Sequence, residues 1–268
     1  MASQTPSSVL TSTRARVLGL CALPLVALFA VAAAVPLPFT LETPGDTADV
    51  LGAYKGRRVI TVTGAQQRAT SGQLRLVTIN ATPPEQRNSL WDALDAWVDR
   101  KQAVVPTDEV YPQSDPKQAN KVTQQQMTQS QDSATLAALG YLHLSPDQVK
   151  VTIDLGDIGG PSGGQMLALG IVDKLAGDGR GGELTGGKTV AGTGTVSADG
   201  RIGEVGGVPL KTQAAARDGA TVFLLPRSEC TQGKVNTPAG LRLVPVDTLA
   251  DSIAALQALN SGGAVPHC

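Results

Sequence analysis

The chain has 268 residues, enough for one sizeable domain or two small ones. Aromatic residues make up only 3%, so a core must come from Val, Leu, Ile and Ala. The 22 basic residues nearly balance the 23 acidic ones, which leaves no electrostatic footprint for nucleic acid.

From Val17 to Pro36 the chain carries no charge, about the length a helix needs to cross a bilayer core. Arg14 and Arg16 precede this run; Glu42, Asp46 and Asp49 follow it, with no basic residue before Lys55. The positive-inside rule then predicts a cytoplasmic tail at 1–16, an anchor at 17–36 and everything later outside. A cleaved signal peptide is the alternative, with Ala32-Ala33-Ala34 as an A-x-A site, but the apolar run is long for that role. Of three cysteines, Cys21 lies in the apolar run. Cys230 and Cys268 lie beyond it, where an oxidising compartment would let them pair; two separate thiols are the alternative.

After the apolar run, residues 37–56 read as an extended, Pro-punctuated linker. Strands are predicted at 58–63 and 73–79. The stretch "SLWDALDAWVD" places Leu90, Leu94, Trp97 and Val98 on one helical face, which predicts core tryptophans. Residues 112–126 read as a polar loop entering a helix that continues from Met127. Further on come a strand at 150–155, a helix near 164–175, strands around 188–197, a helix near 208–218, and strands at 221–226 and 241–246. A last helix has Asp247 as its expected N-cap. Helices and strands mixed without strict βαβ alternation predict an α+β fold.

Two Gly-rich stretches carry the chemistry. "GGELTGGKTV" at 181–190 matches the G-x-x-x-x-G-K-[ST] pattern of a nucleotide-binding P-loop. Such a loop needs a strand before it and a helix after it. The flanking residues suit a loop on one side and a strand on the other, so no nucleotide is expected. "GGPSGGQMLALG" at 159–170 places Ser162 at a turn entering an apolar helix, near the positive end of its dipole. That position suits a nucleophile whose substrate carbonyl gains negative charge, although a plain N-cap serine is by far the commoner role in such a setting.

A nucleophilic Ser162 needs a base. The two histidines are poor candidates: His267 is beside the C-terminus, and His143 lies in an apolar segment without an orienting acid. A lysine serves if burial lowers its pKa. Lys211 shares a predicted helical face with Ala214 and Ala215 and would point inward; a solvated helix lysine is the ordinary reading.

These residues resemble the proteolytic domain of the Lon family. Its G-P-S-[AG]-G motif is matched by Gly160-Pro161-Ser162-Gly163-Gly164, and its G-G-x-x-x-K motif by Gly206-Gly207-Val208-Pro209-Leu210-Lys211. Ser162 and Lys211 are 49 residues apart, about the separation in the Lon dyad. The segment from Leu184 to Gly207 resembles the Lon connector, which makes the P-loop match accidental. The resemblance covers about 57–258, leaves 259–268 as a tail, and implies the Lon proteolytic-domain fold, mixed sheets with packed helices. Anchor and linker are similar to those of membrane-anchored, ATP-independent Lon-like proteases of actinobacteria. Those usually carry a PDZ domain before the catalytic strand; here the helix ending near Leu142 runs almost directly into "SPDQVKVTIDL", leaving no room for one.

The resemblance thus implies an extracytoplasmic serine endopeptidase with a Ser162–Lys211 dyad, acting on proteins or peptides and assembled as a homo-oligomeric ring. It implies that Thr193 hydrogen-bonds Lys211. Gly163 replaces a common Ala, and Gly159 stands where many Lon proteases have Asp, with Asp157 two residues earlier as the acid expected to approach instead. No cofactor is implied, and no His/Cys spacing suits a metal. A Lon-fold binding or scaffold protein without turnover is the alternative, and self-processing as the only reaction is a third.

Overall fold

The computed structural model describes residues 8–112 and 116–268. Helix α1 spans Ser8–Ala34. Its segment Arg14–Ala34 has 21 residues, a mean hydropathy of 2.5 and no contact that buries it. It is long and apolar enough to cross a membrane.

Strand β1, Phe39–Asp49, follows almost at once. The reading of 37–56 as a linker is therefore corrected: β1 is the longest strand of the main sheet. Pro44 misleads the sequence reading. It lies where the register with the neighbouring strand shifts, between Pro44 and Thr47, and at such a bulge a missing N–H breaks no ladder bond. Buried Thr40, Glu42 and Thr47 also hide the strand, because its inward side chains are polar.

The next elements are β2 (Ala53–Tyr54) and β3 (Arg57–Arg58), a small hairpin, then β4 (Ile60–Thr63) and β5 (Gln73–Ala81). Helix α2, Leu90–Val98, opens on a capping box in which the Ser89 hydroxyl oxygen accepts from the Asp92 amide and the Asp92 carboxylate accepts from the Ser89 N–H. Strand β6 (Ala103–Pro106) and the single turn α3 (Thr107–Val110) precede α4, Pro116–Tyr141. The expected loop at 112–126 is thus mostly helix. Its Gln- and Lys-rich composition marks a solvated helical face, which lacks apolar periodicity but has good helix propensity.

Strand β7 (Lys150–Ile153) pairs with β4. A 3₁₀ turn at Pro161–Gly163 runs straight into α5, Gly164–Leu175. Then come β8 (Thr189–Gly192), β9 (Thr195–Val196), β10 (Ile202–Gly203), α6 (Val208–Arg217) and β11 (Val222–Pro226). The single turn α7 (Cys230–Gly233), β12 (Arg242–Val246) and α8 (Leu249–Ser261) complete the chain. Thr248, not Asp247, caps α8 by accepting from the Asp251 amide; Asp247 is drawn off into an ion pair with Arg227.

Six strands form one mixed sheet in the order β12-β11-β8-β5-β1-β6. The run from β12 to β5 is parallel, whereas β1 lies antiparallel to both β5 and β6. One face carries Leu74, Leu76, Val190, Leu224 and Val244 against α5 and α8, with α4 packed over α5. The other carries Val77, Ala191, Phe223, Leu225 and Leu243 against α6 and α7. Residues alternate between these faces because strand side chains have a period of two. Helix α5 is buried from Gly164 to Asp173, so it is the central helix of the larger core. The chain is therefore of mixed α and β class, with helices on both faces of the sheet.

Cys230 and Cys268 form a disulfide, with their Cα atoms 5.3 Å apart. It ties the C-terminal segment beyond α8 to the start of α7, and Val265 is buried along the way.

Candidate active site

The 181–190 stretch is a turn followed by a strand. Gly186 and Gly187 have positive φ, Thr189 opens β8, and the Glu183 carboxylate accepts from the Ser71 and Gly72 amides. The segment that follows the loop is a strand, where the P-loop pattern would need a helix.

Ser162 sits in the middle of the 3₁₀ turn that starts α5. Gly160 makes the turn possible: its φ of 89° and ψ of 158° fall in a region essentially restricted to glycine. Pro161 then takes a first helical position, where no N–H is needed. The turn is clamped from three sides. The Gly160 N–H donates to the Thr123 carbonyl at 3.3 Å. Ser130 Oγ donates to the Pro161 carbonyl at 3.0 Å. The Ser162 carbonyl accepts from the Gly194 N–H at 2.9 Å and from Thr193 Oγ1 at 3.2 Å. Ser162 thus has a fixed backbone and a half-buried position at the head of a buried helix.

Lys211 comes from the other side of the sheet. Helix α6 starts at Gly207, which is left-handed with φ 68° and lies against Ile79 of β5. The helix buries Val208, Leu210, Lys211, Ala214 and Ala215. Lys211 is only 3% exposed. Burial lowers its pKa from the usual lysine range to about 8, partly opposed by the negative charges of Glu42 and Glu229. Glu42, in turn, is pushed up by burial and pulled back by the Lys211 charge.

Among the described residues, Lys211 and Ser162 share no hydrogen bond, and the ion pairs do not include Lys211. The expected bond between Thr193 and Lys211 is corrected: among the described residues the Thr193 hydroxyl donates to the Ser162 carbonyl and shares no bond with Lys211. Asp157 is corrected as well. Its carboxylate pairs with Lys55 at 2.9 Å in an exposed position and is held below the usual range by that lysine, so it is not committed to Ser162. Gly163 packs near Leu76, and a Cβ there would meet Leu76 Cδ2 at 3.5 Å, an ordinary contact.

A cleft of about 590 Å³ runs beside the Ser162 turn, lined among others by Thr78, Asn80, Thr123, Gln124, Ile158 and Gly159. One wall is the end of β5. Pairing of β5 with β8 stops at Leu76, opposite Gly192, while β5 continues to Ala81. Its last residues therefore have one edge not paired in the sheet, next to the cleft. His143 and His267 are both exposed. Among the described residues no group of three or more His, Cys, Asp or Glu is placed to hold a metal ion.

No family model matches the chain, and no curated protein matches it in sequence. The residues of the site carry the functional reading.

Sequence reading missed Glu42, Glu229, Ser130 and Thr123. Only Glu42 had a signal: with Thr40 it makes a period-two pattern in which a carboxylate takes an inward position. The contribution of Ser130 and Thr123 is created by the packing of α4 on the turn and has no local pattern.

Proposed function

We propose that this chain is a membrane-anchored serine endopeptidase of Lon-like fold and chemistry, with Ser162 as nucleophile and Lys211 as general base. The observation that carries this reading is Lys211, an almost fully buried lysine outside the ion pairs of the described residues, whose amine is brought to about 8 by burial. A buried lysine is costly in its charged form and useful when neutral. The G-P-S-G-G turn on a buried helix and the adjoining cleft with its free β5 edge add support: an extended peptide laid on that edge would bring a carbonyl toward Ser162.

In this mechanism neutral Lys211 Nζ takes the Ser162 hydroxyl proton as Oγ bonds to the carbonyl carbon. Backbone N–H groups at the start of the 161–175 segment hold the oxyanion. The lysine ammonium returns its proton to the leaving amine as the C–N bond breaks. Water then attacks the acyl-enzyme, giving one proton to Lys211, which passes it back to Ser162 as the ester bond breaks. The cycle needs no nucleotide. The disulfide supports an extracytoplasmic domain, as does the placement of Arg14 and Arg16 before the apolar helix. Assembly as a ring belongs to the same proposal.

A second reading, a scaffold of the same fold without turnover, is favoured by one observation: Ser162 and Lys211 are not hydrogen-bonded to one another. Catalytic hydrogen bonds often tighten only with substrate present. The deciding experiment uses the full chain in detergent with an unfolded protein as substrate, no ATP, beside Ser162→Ala and Lys211→Ala. Cleavage by the wild type and a loss of about 10³-fold or more in both variants is expected. Equal inertness of all three, each folded by circular dichroism, would leave the scaffold reading.

A further inference from the structure

We propose that helix α2 lies in the membrane interface, inserting Trp91, Leu94, Trp97 and Val98 among the lipid headgroups beside the end of α1. The inference rests on α1 as a membrane anchor and not on the protease chemistry.

Helix α2 is amphipathic in an inverted sense. At roughly 100° per residue, Leu90, Trp91, Leu94, Trp97 and Val98 fall within an arc of about 120°. A soluble helix turns such an arc toward the core. Here it faces outward: Trp91 is 65% exposed, Leu94 40%, Trp97 84% and Val98 85%. The side packed on the protein is the alanine side, with Ala96 at 2%. Asp92, Asp95 and Asp99 occupy an adjoining arc, so no charge falls within the apolar one.

The position of α2 relative to α1 identifies what covers this face. The 21 residues of the apolar segment would span about 32 Å as a helix, close to the thickness of a bilayer's hydrocarbon core. The segment ends at Ala34, and three residues later the Leu37 N–H donates to the Asn88 carbonyl at 3.0 Å. Asn88 is itself buried, and its side-chain amide donates to the Phe39 carbonyl at 2.7 Å. Ser89, the very next residue, is the N-cap of α2. Three extended residues reach at most about 10 Å. The first turn of α2 is therefore held within about one headgroup layer of the hydrocarbon boundary, and α1 and α2 touch. Tryptophan favours this layer because its ring is apolar and its indole N–H stays near water. A helix with one apolar arc and a charged remainder lies there in the plane of the membrane.

Trp91 and Trp97 are the only tryptophans in the chain, so tryptophan fluorescence, excited selectively over the three tyrosines, reports on α2 alone. The full chain is reconstituted into phosphatidylcholine vesicles, floated on a density gradient, and its emission compared with vesicles containing phosphatidylcholine brominated near the top of the acyl chain. Iodide serves as the aqueous quencher. The expected result is co-flotation, blue-shifted emission, loss of most of the intensity with brominated lipid, and weak quenching by iodide. Trp91→Phe and Trp97→Phe should each leave a single emitter with the same behaviour. Red emission with full iodide access in floating vesicles overturns the proposal, because the helix then faces water. Blue emission untouched by brominated lipid also overturns it, in favour of a second copy of the chain covering the face. Protein that does not float overturns the anchor, and the proposal with it, while leaving the protease reading to its own assay.

Discussion

Lys211 is the residue at which stability and proposed activity oppose each other. Its amine titrates near 8 in the folded protein and near 10.4 when unfolded. Between those values the unfolded chain binds more protons, so stability rises with pH; below about 8 the full penalty for the buried charge is present. The penalty is on the order of 3 kcal/mol. Lys211→Met should therefore raise the unfolding free energy by about 1–3 kcal/mol at pH 7, measured by urea denaturation. Its advantage should shrink as pH approaches 10. Proteolysis should do the opposite, vanishing in the Met variant and, in the wild type, rising with pH through about 8 as the free base forms. A profile flat between pH 6 and 9 would remove Lys211 from the role of base.

Gly163 offers a milder test at the same scale. It sits at φ −89° and ψ −6°, open to any residue, and the nearest atom to a Cβ there would be Leu76 Cδ2 at 3.5 Å. Gly163→Ala should be neutral or stabilise by up to about 1 kcal/mol through the unfolded chain, with cleavage retained. An inactive Gly163→Ala protein would show that the turn needs a freedom that its ground-state geometry does not reveal.

Elements are where packing overrides pattern. Helix α5 is so closely applied to Val50, just past the end of β1, and to Ile60 of β4 that a Cβ on Gly170 would lie 2.7 Å from Val50 Cγ2 and 2.8 Å from Ile60 Cδ1. Gly170→Ala should cost about 1–3 kcal/mol, seen as a lower melting temperature, even though alanine is the better helix former. Because α5 carries Ser162 at its head, the same variant should also lose activity below the melting transition. Helix α2 is the opposite case: most of its apolar arc faces outward, so its Trp residues contradict the expectation of a core. Periodicity reports that a face is apolar, and says nothing about which apolar phase it meets. The polar start of α4 and the inward polar residues of β1 were illegible for the complementary reason, since their environment comes from distant elements.

At the scale of the whole molecule, the Cys230–Cys268 bond closes a loop with a sequence separation of 38. Cross-linking of that length stabilises by about 4 kcal/mol in the chain-entropy model. Cys268→Ser should lower the unfolding free energy by about 2–4 kcal/mol and make the wild-type value sensitive to reductant while the variant is not. The bond fastens the C-terminal segment to α7, on the same sheet face as α6, so loss of the bond should also loosen the layer that holds Lys211. Hydrogen exchange in 208–217 would register this as faster exchange in the variant.

By itself the sequence determined the apolar N-terminal helix, most strands and helices after residue 57, and the two motifs containing Ser162 and Lys211, because these depend on local composition, periodicity and spacing. Only the tertiary structure decided that β1 belongs to the sheet, that Thr193 bonds the Ser162 carbonyl, that Asp157 goes to Lys55, and that α2 shows its tryptophans outward. Each of those outcomes is a choice of partner between residues far apart in the chain. Local propensity ranks the conformations of a segment; which neighbour satisfies a hydroxyl, a carboxylate or an apolar arc is settled by what the other layers bring within reach.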